Sequence, residues 1–266
     1  MGEGYSTPGP PPNAGRNEVR NAVKSWNIGV VGLVMLSVIV AGSYAPDGVM
    51  VGVGIVAAAV IGIGWPHFLA VPAKKTLAAV IALSGMGSAV AAAYAPAPGF
   101  LDYVPAFIAA GVIAVFIVQL VRGTGQAQRL ESTLGSCAGV LLSCLGAGWI
   151  AGVRFNGVQE MVLVAGLSAG VALLTGLLRW PDRIVAPLGI AAAGLVAPLA
   201  GLVFSNISVA AAAVVGVVMG SVLLSFRRMV TLRPGRLNLA AVLGMGVAPV
   251  WAVGSLCYFI DKLLIY

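Results

Sequence analysis

Nine uninterrupted apolar stretches constrain this chain more than any other feature. They run approximately over residues 27–44, 49–64, 76–95, 104–121, 134–152, 160–178, 184–204, 208–225 and 239–260. A helix that crosses a bilayer needs about 20 mostly apolar residues, and each stretch approaches or meets that length. The rest of the chain is too short and too apolar to build anything else. Of 266 residues, 60% are hydrophobic, 36 are glycine and only 15 are Lys or Arg and 8 Asp or Glu, so a soluble fold has no polar shell to wear. Disorder requires low hydrophobicity and is excluded on the same count. The stretches also lack the two-residue alternation of outer-membrane barrel strands. The fold class is therefore an all-α polytopic integral membrane protein with nine transmembrane helices.

Charge placement sets the expected orientation. Segments 1–26, 65–75, 122–133, 179–183 and 226–238 hold thirteen of the fifteen Lys and Arg residues, and the alternate segments hold only Arg154 and Lys262. Cytoplasmic loops retain Lys and Arg, so the expectation is a multi-pass cell-membrane protein, N-terminus cytoplasmic and C-terminus external. The net charge of +7 is then a topology signal with contact to anionic lipid headgroups, and no nucleic-acid partner is implied. Trp26, Trp65, Trp180 and Phe226 fall at inner helix ends, and Tyr44, Tyr94, Tyr103, Trp149 and Phe204 near outer ones. Amphipathic rings favour that level of the bilayer.

Residues 1–25 carry Pro8 and Pro10–Pro12 and little to bury, which reads as a disordered cytoplasmic tail ahead of a transmembrane domain, 26–266. Pro46 directly after the first span opposes signal cleavage, so that span is expected to be retained. Cys137, Cys144 and Cys257 form no framework, and the single His67 cannot build a multi-histidine site, so neither a metal nor a cofactor is expected.

Trp65-Pro66 and Trp180-Pro181 stand at comparable points, as do the glycine-rich contexts of Trp149 and Trp251. The parse is one leading helix plus two parallel four-helix repeats, 49–152 and 160–260. Lipid offers no hydrophobic drive for helices to associate, so close backbone approach must supply it. The pairs Gly135/Gly139, Gly148/Gly152, Gly166/Gly170 and Gly216/Gly220 suit such approach, chiefly within the chain and secondarily in a homodimer or larger membrane complex. Pro187, Pro198 and Pro249 are expected to bend their helices around a cavity.

No ionisable residue lies in the middle of a stretch, which disfavours mechanisms built on intramembrane carboxylates. The polar inventory there is hydroxyls, and Ser84, Ser88, Ser136 and Ser143 are candidates to line a narrow path. Arg227, Arg228, Arg233 and Arg236 form the densest cationic segment and could clamp a lipid phosphate bidentately. Acidic residues are scattered and no metal-binding or nucleophile motif appears, so the chain is not expected to be an enzyme. An inner-face site of His67, close to Lys74 and Lys75, with Asp182 and the basic loop is the weakest alternative, and Arg154, Asn156 and Glu160 are the one polar cluster on the outer face. The functional expectation is a permease-like protein that binds or translocates a neutral or amphipathic molecule, lipid included. The alternative is a non-catalytic scaffold or accessory subunit. The Ala, Gly, Val and Arg bias gives a bacterial impression.

Overall fold

A computed structural model describes residues 14–46, 48–71, 73–122, 129–156, 159–178, 180–205, 207–233 and 237–264. Its helices are α1 Ala14–Ser43, α2 Val49–Leu69, α3 Lys74–Tyr94, α4 Val104–Val121, α5 Arg129–Leu145, α6 Ala147–Asn156, α7 Glu160–Gly176, α8 Asp182–Phe204, α9 Val209–Leu232 and α10 Leu239–Leu264. Eight helical runs are long and apolar enough to cross a membrane, α5 and α6 together forming one of them, Leu130–Phe155. The remaining stretch, the sixth, is α7, a shorter apolar helix of 17 residues, or about 25 Å of rise. The protein is an all-helical, multi-pass membrane protein.

Local sequence explains the helix ends. Ser208 caps α9, its hydroxyl accepting from the Ala211 N–H at 3.3 Å, and Asn238 Oδ1 accepts from the Ala241 N–H at 2.9 Å to open α10. Hydroxyl and amide side chains satisfy N–H groups that a helix start leaves without partners. Gly48, at φ 98°, turns the chain into α2.

Three boundaries differ from the sequence expectation. Helix α1 starts at Ala14, inside the segment read as tail. Residues 14–25 contain Ala, Arg, Glu and Lys, which prolong a helix readily; the rest of the tail, 1–13, lies outside the described residues. Helix α2 continues through Trp65-Pro66 to Leu69; proline is tolerated within membrane helices. The fifth stretch is interrupted at Gly146 and resumes at Ala147.

The bundle is organised around α10, the most buried span, which packs on α1, α2, α5, α6 and α9. Helices α2 to α6 lie on one side of it and α7 to α9 on the other, with α1 beside it touching both groups. Helix α4 packs chiefly on α3 and α5, and α8 chiefly on α7 and α9, so these two form the flanks. Backbones approach closely where α2 crosses α10. A Cβ on Gly244 would lie 2.6 Å from the Gly64 Cα, so neither position has room for a side chain. Of the glycine pairs, Gly135 and Gly139 meet Leu69 and Trp65, Gly166 and Gly170 meet α1, and Gly216 and Gly220 meet α8, whereas Gly152 meets nothing.

Candidate functional site

The interior polar groups come first, because they decide whether the bundle core can act on a substrate. The break at Gly146 frees the carbonyls at the end of α5, and neighbouring helices satisfy three in succession. Trp251 Nε1 donates to the Ser143 carbonyl at 3.1 Å, Ser88 Oγ to that of Cys144 at 3.0 Å, and Ser255 Oγ to that of Leu145. In return Trp149, on α6, donates from Nε1 to the Val250 carbonyl of α10 at 3.0 Å. Trp149 and Trp251 thus exchange bonds between the broken helix and α10. Irregular backbone is tolerated at membrane depth only where protein satisfies it.

Of the candidate serines, Ser84, Ser88 and Ser143 gather where α3 meets α5, Ser143 against Gly85 and Ser84 against Gly111 of α4. Ser136 sits about two turns nearer the start of α5. The hydroxyls of Ser136 and Ser143 are buried with no hydrogen-bond partner. Nearer the end of α4, Gln119 Nε2 donates to Ser132 Oγ at 2.7 Å and Arg122 Nη1 to Gln119 Oε1 at 3.2 Å. Ser168 Oγ donates to the Ala193 carbonyl at 3.0 Å and so joins α7 to α8.

Two tryptophans read as interfacial rings are core residues. Trp65 is 4% exposed and donates from Nε1 to the Gly135 carbonyl at 2.7 Å. Trp149 is equally enclosed. Each indole has an interhelical acceptor and a glycine to lie on, and so needs no water at the membrane surface. Trp26, Tyr44, Tyr94, Tyr103, Trp180 and Phe204 are exposed, as a membrane-surface belt requires.

The arginine-rich segment divides among separate tasks. Arg227 ties three helices together at the basic end of the bundle. Its Nε donates to the Gly176 carbonyl at 2.6 Å and its Nη2 to that of Leu178 at 3.1 Å, while Nη1 pairs with Asp182 Oδ1. Thr231 Oγ1 donates to the second Asp182 oxygen at 2.9 Å. A cation on the last carbonyls of α7 and a carboxylate in the first turn of α8 both match the helix dipoles. Arg233, just past α9, stacks 4.4 Å over the Phe68 ring of α2, and burial there lowers its pKa from the ordinary value. Arg236 lies outside the described residues. Arg228 and Arg183 are exposed, and neither guanidinium has a protein partner among the described residues.

Arg183 and Arg228 stand at the mouth of a groove of about 420 Å³ between α8 and α9. The Asp182–Arg227 pair forms its base, and Ala186, Ile190, Ser221 and Leu224 continue it along the helices. A second furrow, of about 600 Å³, lies between α2 and α3 and holds His67, Lys74 and Lys75. His67 and Asp182 therefore line different grooves. A small apolar cavity of about 40 Å³ lies among α1, α7, α9 and α10, and Pro249 lines it. At the opposite end Arg154 Nη1 donates to the Ala92 and Ala95 carbonyls at 2.8 and 3.0 Å, and its guanidinium lies 4.6 Å from the Phe100 ring centre. The side chain of Asn156 lies outside the described residues.

Sequence reasoning assigned all four arginines to one clamp. It missed Arg183, which lines the same groove as Arg228, whereas the placing of His67 close to Lys74 and Lys75 matches the furrow that holds all three. The signal for Arg183 was present: basic residues at the same end of consecutive antiparallel helices share one side of the bundle. Comparison with protein-family models, curated proteins and solved structures finds no match to this chain.

Proposed function

We propose that this is a permease-like membrane protein that binds an amphipathic molecule with an anionic head, a membrane phospholipid, at the cytoplasmic end of the α8–α9 groove. One observation carries the reading: two guanidiniums without protein partners among the described residues stand at the mouth of a groove whose walls become apolar along the helices. A guanidinium suits bidentate phosphate recognition, and the apolar walls suit the chain that follows a headgroup into the bilayer. The Asp182–Arg227 pair is the rigid floor, since both Asp182 oxygens and three Arg227 nitrogens are already engaged.

The test is reconstitution in vesicles of mixed phosphatidylcholine and phosphatidylglycerol, following the transbilayer movement and retention of labelled phosphatidylglycerol. Arg183→Gln with Arg228→Gln should reduce both while leaving thermal unfolding unchanged. Wild-type protein that neither retains nor moves the label would refute the reading.

A second reading, a membrane scaffold or accessory subunit, draws support from the interior. Ser88, Ser168 and Ser255 each tie one helix to the next through a carbonyl, which favours a bundle that does not rearrange. A stoichiometric partner chain after mild detergent extraction would favour it over transport.

A further inference from the structure

We infer that the furrow between α2 and α3 is a second lipid site, and that it takes an anionic phospholipid with a hydroxylated headgroup. It shares no residue with the α8–α9 groove, so it stands or falls by itself.

The furrow has the dimensions of one leaflet. Its lining runs from Lys74 to Met86 along α3 and from His67 back to Ala59 along α2. The α3 part spans about 18 Å of helix rise, against about 15 Å for half of a typical hydrocarbon core. The floor is smooth because Ala59, Ala78, Ala79 and Ala82 line it, and the helices are drawn together at Gly62, where a Cβ would lie 2.7 Å from the Ala78 carbonyl oxygen. Small side chains between Ile63 and Met86 leave a trough for an acyl chain. A free phosphate would have no use for such a trough, and this commits the site to a lipid.

The head of the site is cationic. Lys74 and Lys75 lie at the furrow's end, and among the described residues no carboxylate lines it. Two ammonium groups attract a phosphate. A zwitterionic lipid brings a third cation with nothing to receive it. His67 adds a finer preference. Its Nδ1 lies 2.7 Å from the Ile63 carbonyl oxygen, and since a carbonyl can only accept, Nδ1 carries the proton. In the neutral ring Nε2 is then an acceptor. A headgroup hydroxyl satisfies that acceptor while the lysines hold the phosphate.

The experiment is native mass spectrometry of the full chain released from nanodiscs, counting retained phosphatidylglycerol against phosphatidylcholine. Two variants separate head from chain. Lys74→Gln with Lys75→Gln removes the charges, and Ala79→Trp, at an exposed position, fills the trough and leaves the charges. Each should remove one phosphatidylglycerol and leave the lipid lost on Arg183→Gln with Arg228→Gln in place. The double lysine change should weaken retention by roughly 20- to 30-fold. His67→Phe should weaken phosphatidylglycerol more than phosphatidic acid, which lacks the headgroup hydroxyls. Full retention in the lysine variant overturns the site. Retention in Ala79→Trp with loss in the lysine variant also overturns it, because the binding would then be surface electrostatics without a furrow.

Discussion

The break at Gly146 and the junction around Arg227 meet one physical requirement at two depths. Both leave carbonyls at a helix end without intrahelical donors. At Gly146, about 14 Å of helix from Phe155, the donors are neutral: one indole and two hydroxyls. At the basic end the donor is a guanidinium that covers two carbonyls and takes Asp182 as its counter-ion. Arg154 repeats the second solution at the opposite end, with a phenyl ring in place of an acid. Charge in the hydrocarbon centre is costly, whereas near the surface water shares its solvation. Depth therefore selects the donor. Neutral donors each cover a single carbonyl, so the central junction needs three helices packed at contact distance.

That difference predicts how each junction fails. The largest effect belongs to Gly148, which lies against the α10 backbone at Gly254 and Ser255. Gly148→Leu should give no folded protein, because backbone cannot move aside as a flexible side chain can. Monodisperse protein with native tryptophan fluorescence after that change would show that the α6–α10 contact is not the organising one. Arg227→Met should come next. It orphans two carbonyls and leaves Asp182, 33% exposed, without its cation, a loss of about 3 kcal/mol by analogy with broken buried pairs. Reversible unfolding in mixed micelles would measure it. Trp251→Phe keeps most of the ring volume and deletes only the donor to Ser143, so it should cost about 1–2 kcal/mol. If Trp251→Phe proves as damaging as Arg227→Met, the proposed split between neutral centre and charged boundary is wrong. Arg154→Lys keeps a charge but loses the planar fork over two carbonyls and Phe100. A loss of about 1 kcal/mol is expected, read from the same unfolding curves.

These junctions also mark where sequence reasoning reached its limit. Span number and class were legible because hydropathy integrates over some twenty residues, and a few misplaced boundaries leave such a sum intact. The break was not, because Leu145-Gly146-Ala147 is as apolar as its surroundings, and only the arrival of Trp251, Ser88 and Ser255 from distant segments makes the interruption affordable. Tryptophan placement failed for a related reason. Trp65 and Trp180 each precede a proline at a comparable point, yet Trp65 is 4% exposed and Trp180 is 54% exposed. What separates them is whether another helix presents a carbonyl and a glycine, which Gly135 and Gly139 of α5 do for Trp65. The basic residues fell between these cases. Their common end of the bundle followed from alternation of charge, but the partition of Arg227 to structure and of Arg228 to an open groove required the position of Asp182.

The smallest predicted effect tests the quietest residue. Ser136 is buried, and its hydroxyl makes no bond, whereas Ser88, equally buried, donates to the Cys144 carbonyl at the break. Ser88→Ala should lose about 1 kcal/mol, since it removes the donor to a buried carbonyl. Ser136→Ala removes a buried hydroxyl together with its unmet need for a partner, and should change stability by less than about 0.5 kcal/mol in either direction. Paired measurements on the two alanine variants, with retention of phosphatidylglycerol as a second readout, separate architecture from ligand contact. If Ser136 serves only packing, both readouts stay at the wild-type value. If Ser136→Ala leaves unfolding untouched but alters lipid retention or movement, its hydroxyl meets a ligand that enters between α3, α4 and α5. The central junction would then be an opening part of the bundle rather than its fixed point.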